Sequence, residues 1–347
     1  MTIRSAIQSE FRWLLVCIFL GIVGLTAYAA SKFTPGKLVV IITGIGFLGF
    51  IVALIILAVR LRRFVPIVGA AGISLVSVIV VTYIILFAFV YFFQDAVANK
   101  TSSFFQPKTI PVEAAQALLD PNVTAIDLAT PDGIHLRGWM VRNSTEAKTP
   151  LVIYFGGSGS EVSEMIPFAK GLAGWSVALI NYRGFGLSEG TPTQSNVLAD
   201  SLFIYDTLAS RTDIDASQVV AMGYSLGTGV AVYLSEQRPI ASTILASPYD
   251  YWTLIGVRQT PQYAPLSGIF KHYFDSILRA PGINDPLLCL IGSNDTLVPP
   301  ELSRRLADAW GGKVTVIQYP GEDHGLLFHN NRCWADIKDF LSTIKQH

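Results

Sequence analysis

Charge is scarce in this sequence. Only 14% of its 347 residues are Asp, Glu, Lys or Arg, where a soluble chain carries about 25%. Neither sign prevails, with 25 basic residues against 25 acidic ones. The chain therefore lacks the basic excess that marks a nucleic-acid binder. Cysteine is scarcer still, and three cysteines build no disulfide framework. Cys17 lies in an apolar stretch, and Cys289 and Cys333 are expected to stay unpaired. No Cys/His spacing suits a metal, so no metal and no cofactor is expected. There is no internal repeat and no low-complexity tract. What abounds is apolar: 51% of residues are hydrophobic and mean hydropathy is +0.46, which excludes a disordered chain.

The apolar excess sits at the front. Residues 13–31, 38–59 and 64–94 contain no charged side chain. Each reaches the roughly 20 residues that cross a hydrocarbon core as a helix. Three transmembrane helices are predicted, near 13–30, 38–59 and 68–93, with Tyr83, Tyr91, Phe92 and Phe93 as interfacial aromatics. Ala27-Tyr28-Ala29 resembles a signal-peptide cleavage site, but the apolar run exceeds a signal core of about 7–15 residues. Arg4, Arg12, Arg60, Arg62 and Arg63 fall on one side of such an anchor. Lys32, Lys37, Lys100 and Lys108 fall on the other. The positive-inside rule then makes this a multi-pass protein of the lipid bilayer with its C-terminal domain extracytoplasmic.

Behind the anchor (residues 1–97) the composition becomes ordinary. Residues 98–347 hold 18 of the 25 basic and 23 of the 25 acidic residues. We read 98–119 as a linker and 120–347 as one domain. Strand-like runs recur at 124–128, 135–141, 151–155, 176–181, 219–223, 242–246, 287–291 and 314–318. Helical patterns lie between the later ones, at 161–172, 194–210, 226–237, 301–310 and 331–344. Strands alternating with helices predict a mainly parallel, doubly wound sheet. The Pro131-Asp132-Gly133 turn makes the first two runs a hairpin. Such a sheet binds ligands beyond the carboxyl ends of its strands, so the residues just after each run carry the chemistry.

Gly223-Tyr224-Ser225-Leu226-Gly227 follows the fifth run and precedes a helix. G-x-S-x-G is a weak pattern alone. Between strand and helix it is specific, because a sharp turn there exposes a serine hydroxyl beside a helix N-terminus. Ser225 is the candidate nucleophile. A serine needs an adjacent base, and His324 in Gly321-Glu322-Asp323-His324-Gly325 follows the last run. The imidazole needs an acid to hold its tautomer. Asp295 follows the seventh run, and Asp250 and Asp323 are its rivals. Ser225, Asp295 and His324 occur in the chain order of α/β-hydrolases. The oxyanion hole is expected from the N–H of Leu226 and from the loop Gly156-Gly157-Ser158-Gly159-Ser160, with Ser158 or Gly157 as donor. That loop has no G-K-[ST] ending, which argues against a P-loop. Tyr224, Tyr182 and Tyr249 are candidate substrate contacts.

Over roughly residues 120–345 the domain resembles the α/β-hydrolase superfamily. Asn181-Tyr182-Arg183-Gly184-Phe185-Gly186-Leu187-Ser188-Glu189-Gly190 is similar to a block in membrane-anchored hydrolases of the serine aminopeptidase-like and acyl-protein-depalmitoylating group. The resemblance implies that this block shapes the floor of the active site. Those relatives often carry His-Gly where this chain has Gly156-Gly157. An insertion near 249–282 is rich in aromatics, including Tyr251, Trp252, Tyr263, Phe270 and Tyr273, and reads as a lid or acyl wall.

The expected function is a membrane-anchored serine hydrolase that cleaves an ester or thioester of an acyl or lipid-like substrate, whether an acylated small molecule or an acylated protein. An aminopeptidase or amidase on the same residues is the alternative within the class. A membrane scaffold with an inert hydrolase domain is the alternative outside it.

Overall fold

The computed structural model describes residues 105–251 and 274–344. The three expected spans lie outside the described residues, as do Trp252, Tyr263, Phe270, Tyr273 and most of the expected insertion. Among the described residues no helix is long and apolar enough to cross a membrane. All of them belong to the second of the chain's two units, Phe93–His347.

Eight strands form one sheet: β1 (Val123–Ala129), β2 (His135–Arg142), β3 (Thr149–Phe155), β4 (Ser176–Ile180), β5 (Ile214–Tyr224), β6 (Ser242–Ala246), β7 (Leu287–Gly292) and β8 (Val314–Tyr319). Their spatial order is β1-β2-β4-β3-β5-β6-β7-β8. The β1–β2 and β2–β4 pairs are antiparallel, and all later pairs are parallel. Every residue of β3, β4, β6 and β7 is buried, as parallel strands covered on both faces require. Alternation divides each strand between two cores. Leu151, Ile153 and Phe155 join one layer, and Val152 and Tyr154 the other.

The layer around Leu151 is closed by α3 (Gln194–Ala209), α4 (Leu226–Gln237) and α6 (Pro300–Asp308). The opposite layer is closed by α2 (Ile166–Ala169) and α8 (Asn331–Ile344). Cys289 belongs to the first layer and Cys333 to the second. Both thiols are free and buried, on opposite faces of the sheet, as the expectation against pairing had it. Three short helices complete the described set: α1 (Val112–Ala117), α5 (Ser276–Arg279) and α7 (Leu326–His329).

Two local expectations change. The helix expected at 161–172 is a 3-10 turn, Val162–Met165, followed by the four-residue α2. Pro167 sits in the first turn of α2; it starts a helix well but has no N–H with which to continue one. The segment expected as a linker is built into the fold from Phe105 onward. Gly186 N–H donates to the Lys108 carbonyl at 2.7 Å, Gln106 N–H donates to the Ser158 carbonyl at 2.7 Å, and Thr109 pairs with Gly186 in a parallel bridge.

Candidate active site

The turn between β5 and α4 is forced by close packing. Ser225 has φ +52° and ψ −121°, a region costly for any residue with a Cβ. Its N–H donates to the Ala246 carbonyl at 3.0 Å, and its carbonyl accepts from Thr228 N–H at 2.9 Å and Thr228 Oγ1 at 2.7 Å. A Cβ on Gly227 would stand 2.0 Å from the Phe155 carbonyl oxygen, and one on Gly223 2.5 Å from that of Gly227. Both glycines of the motif are therefore steric requirements of this turn.

Three chain segments bring the predicted residues together. His324 Nε2 lies 2.8 Å from Ser225 Oγ, and His324 Nδ1 lies 2.7 Å from Asp295 Oδ2. The second carboxylate oxygen, Asp295 Oδ1, accepts the N–H groups of Leu297 (3.0 Å) and Val298 (2.8 Å). With its side chain 1% exposed, Asp295 is a buried acceptor fixed by two main-chain donors and one imidazole. The arrangement is a hydrogen-bonded serine–histidine–aspartate line at the carboxyl end of the sheet.

The rivals are engaged elsewhere. Asp250 is buried, accepts the Tyr251 N–H at 2.7 Å and pairs with Arg305. Asp323 is exposed and accepts the Gly325 N–H at 2.8 Å. Of the other histidines, His135 pairs with Asp127 on β1 at 2.6 Å and His329 is exposed at the end of α7. His272 and His347 lie outside the described residues.

Of the oxyanion-loop donors, Gly157 N–H is taken by Ser160 Oγ at 3.1 Å. The N–H groups of Ser158 and Leu226 have no acceptor among the described residues. Leu226 is the first residue of α4, where an N–H has no partner within the helix. The three tyrosines lie beneath this surface, each hydroxyl committed to main chain. Tyr182 donates to Gly156 O at 2.9 Å, Tyr224 to His324 O at 3.0 Å and Tyr249 to Leu226 O at 3.0 Å. Burial pushes all three phenols well above their ordinary range.

The 181–190 block is a bracket. Asn181 Nδ2 donates to Glu161 Oε1 at 2.8 Å. Arg183 is held between Asp200 (2.8 and 2.7 Å) and Asp132 (2.5 and 3.0 Å). These hydrogen bonds hold the Asp132 carboxyl well below the usual range, while burial raises that of Asp200. Gly186 has φ +56°, and a Cβ there would meet Asn181 Nδ2 at 2.1 Å. Among the described residues no group of three or more His, Cys, Asp or Glu is placed to hold a metal ion.

Sequence reasoning missed Phe105 and Gln106, which touch Tyr182 and the oxyanion loop from outside the expected domain. Their contacts join residues about 50 and 75 positions apart, and no local pattern encodes such contacts.

Comparison with known proteins agrees with this architecture. A family model described as alpha/beta hydrolase fold matches residues 149–266, and one described as TAP-like protein matches residues 274–346. An uncharacterized protein of Mycobacterium tuberculosis is 30% identical over 242 residues, covering 69% of this chain and 84% of that one. The chain belongs to the α/β-hydrolase superfamily. An uncharacterized membrane protein of Saccharomyces cerevisiae is 26% identical over 227 residues, 62% of this chain and 78% of its own. The lysophosphatidylserine lipase ABHD12 of Danio rerio is 27% identical over 240 residues, 59% of this chain and 61% of its own. Among solved structures, a Pyrococcus furiosus esterase shares the fold with a TM-score of 0.55 at 20% identity, covering 70% of this chain and 98% of that one.

Proposed function

We propose that this protein is a membrane-anchored serine hydrolase that cleaves an ester or thioester of an acyl or lipid-like substrate. The observation that carries the reading is the hydrogen-bonded line from Ser225 Oγ through His324 to Asp295, set on a strained strand-to-helix turn. The lipase and esterase among its relatives support a carboxylic ester as substrate class.

Ser225 Oγ attacks the acyl carbon while His324 Nε2 takes the hydroxyl proton. Asp295 holds Nδ1–H, fixing the tautomer and stabilising the imidazolium. The N–H groups of Leu226 and Ser158 receive the developing oxyanion. Collapse breaks the bond to the alcohol or thiol, which leaves with the proton from His324. Water, deprotonated by the same imidazole, attacks the acyl-enzyme. The acid departs and Ser225 regains its proton. Tyr224, Tyr182 and Tyr249 act as supports of this apparatus. The uncharged runs at 13–30, 38–59 and 68–93 support a three-span anchor, with the hydrolase domain extracytoplasmic by the arginine count. The bilayer is then a partner and a source of acyl substrate.

A fluorophosphonate probe tests the nucleophile. The wild-type chain takes the label and Ser225→Ala does not. Equal labelling of the two sinks the assignment. Turnover of p-nitrophenyl acyl esters should exceed that of aminoacyl anilides; the reverse order would make the protein an amidase.

A further inference from the structure

We infer that residues 105–110, an arm upstream of the hydrolase core, brace the oxyanion loop: Gln106, through its main-chain N–H, is a positioning residue for it. The inference rests on the hydrolase reading above and deepens it.

The loop after β3 contains Gly156, Gly157 and Gly159 around Ser158. Such a sequence has little conformational preference of its own, so an N–H aimed at a reacting oxygen must be held there by other groups. Three clamps hold it. Tyr182 Oη donates to the Gly156 carbonyl at 2.9 Å. Ser160 Oγ takes the Gly157 N–H at 3.1 Å. Gln106 N–H donates to the Ser158 carbonyl at 2.7 Å. The first two come from within the hydrolase core. The third comes from the arm, and it grips the residue whose own N–H is left without an acceptor among the described residues.

The arm is itself fixed at both ends of this contact. Phe105 is buried, its ring 6.5 Å from Tyr182 and 6.4 Å from Phe274, edge-on to both. Downstream, Lys108 O accepts Gly186 N–H at 2.7 Å, and Ile110 N–H reaches Gly186 O at 3.4 Å. One short segment thus ties the oxyanion loop to the 181–190 block and to Phe274. Misplacing one oxyanion donor costs less than removing it, which lowers kcat about 10²–10³-fold.

The test uses the full-length chain in detergent or membranes. Gln106→Pro deletes the N–H. Pro107 already biases position 106 away from the helical region. Gln106→Ala keeps the N–H. We expect Gln106→Pro to lower kcat about 10-fold on p-nitrophenyl butyrate with KM within about twofold. Affinity for phenylboronic acid, whose serine adduct needs the oxyanion donors, should fall in parallel. Gln106→Ala should restore kcat to within about twofold of the wild type. Equal kcat in the two variants overturns the inference. Should Gln106→Pro not fold, Phe105→Ala decides: a kcat loss of about fivefold at unchanged KM supports the arm's role, and wild-type kcat overturns it. Failure of the underlying reading is seen separately, as fluorophosphonate labelling that survives Ser225→Ala.

Discussion

Strand β7 carries an aspartate beyond each end, and the two have opposite surroundings. Asp295, three residues past its carboxyl end, is buried among donors: two main-chain N–H groups and the imidazole of His324. Asp285, two residues before its amino end, accepts Thr243 Oγ1 at 2.5 Å, with no cation paired to it among the described residues. Burial pushes its carboxyl up to about 6. The sheet is the same; the loops differ. Beyond the carboxyl ends the chain turns sharply: the turn after β7 aims the N–H groups of Leu297 and Val298 at Asp295, and the start of α4 leaves the Leu226 N–H without an acceptor among the described residues. Around β7 the donors gather at the carboxyl end while burial disfavours charge at the amino end, and the hydrolytic machinery we propose uses the donor-rich end.

Exchanging the charge of Asp295 for an amide tests the contrast hardest. Asp295→Asn should lower kcat by about 10³–10⁴-fold while leaving the protein folded, because the amide no longer holds the productive tautomer. Steady-state kinetics beside a circular-dichroism melt read both. A kcat within tenfold of wild type would mean that Asp295 only supports its loop.

Gly227→Ala asks whether the carboxyl-end turn tolerates a single added methyl group. The Cβ would stand 2.0 Å from the Phe155 carbonyl oxygen, so backbone must move. A stability loss of about 1–3 kcal/mol is expected, with lowered kcat because Phe155 leads into the oxyanion loop. Denaturant titration measures the first part.

At the amino end the sign reverses. A carboxyl whose folded pKa is about 6, above its ordinary 3.8, binds a proton more readily in the folded state. Its contribution is most favourable below pH 4, declines as pH rises through 4 to 6 and stays low above that. Asp285→Asn should remove this slope and raise stability near pH 7 by about 1–3 kcal/mol. Melts from pH 4 to pH 8 check it, and an unchanged slope would assign the dependence to another group.

The smallest effect probes a link within the site. Tyr224 joins the base loop through its hydroxyl on His324 O, and its ring lies 5.3 Å from the His324 ring. Tyr224→Phe keeps the ring and loses the bond. A cost of about 0.5–1.5 kcal/mol, read as a several-fold fall in kcat at constant KM, is expected.

Much of this was legible along the chain. All eight strand-like runs appear in the sheet; the fully buried β3, β4, β6 and β7 announce themselves as largely apolar stretches, and β1 and β2 by the turn between them. Ser225, Asp295 and His324 stood out as candidates because each lies within five residues of the carboxyl end of a strand, while Asp250 and Asp323 remained rivals to Asp295. The start of β5 was not legible. Its early residues pair with β3 through Thr149 and Ile214, across a register shift, and 214–218 looks like a polar loop in sequence. Nor was the role of 105–110, whose sequence is short and aperiodic.

Local sequence sets the alternating α/β order, the glycine-flanked serine and the uncharged stretches at the front, since propensity, periodicity and sterics act over a few neighbouring residues. Tertiary structure alone decided which acid meets His324, which loop N–H stays free and that Gln106 reaches Ser158. Those outcomes depend on distances between segments 29 to 99 residues apart, which are fixed only when the strands take their places in the sheet.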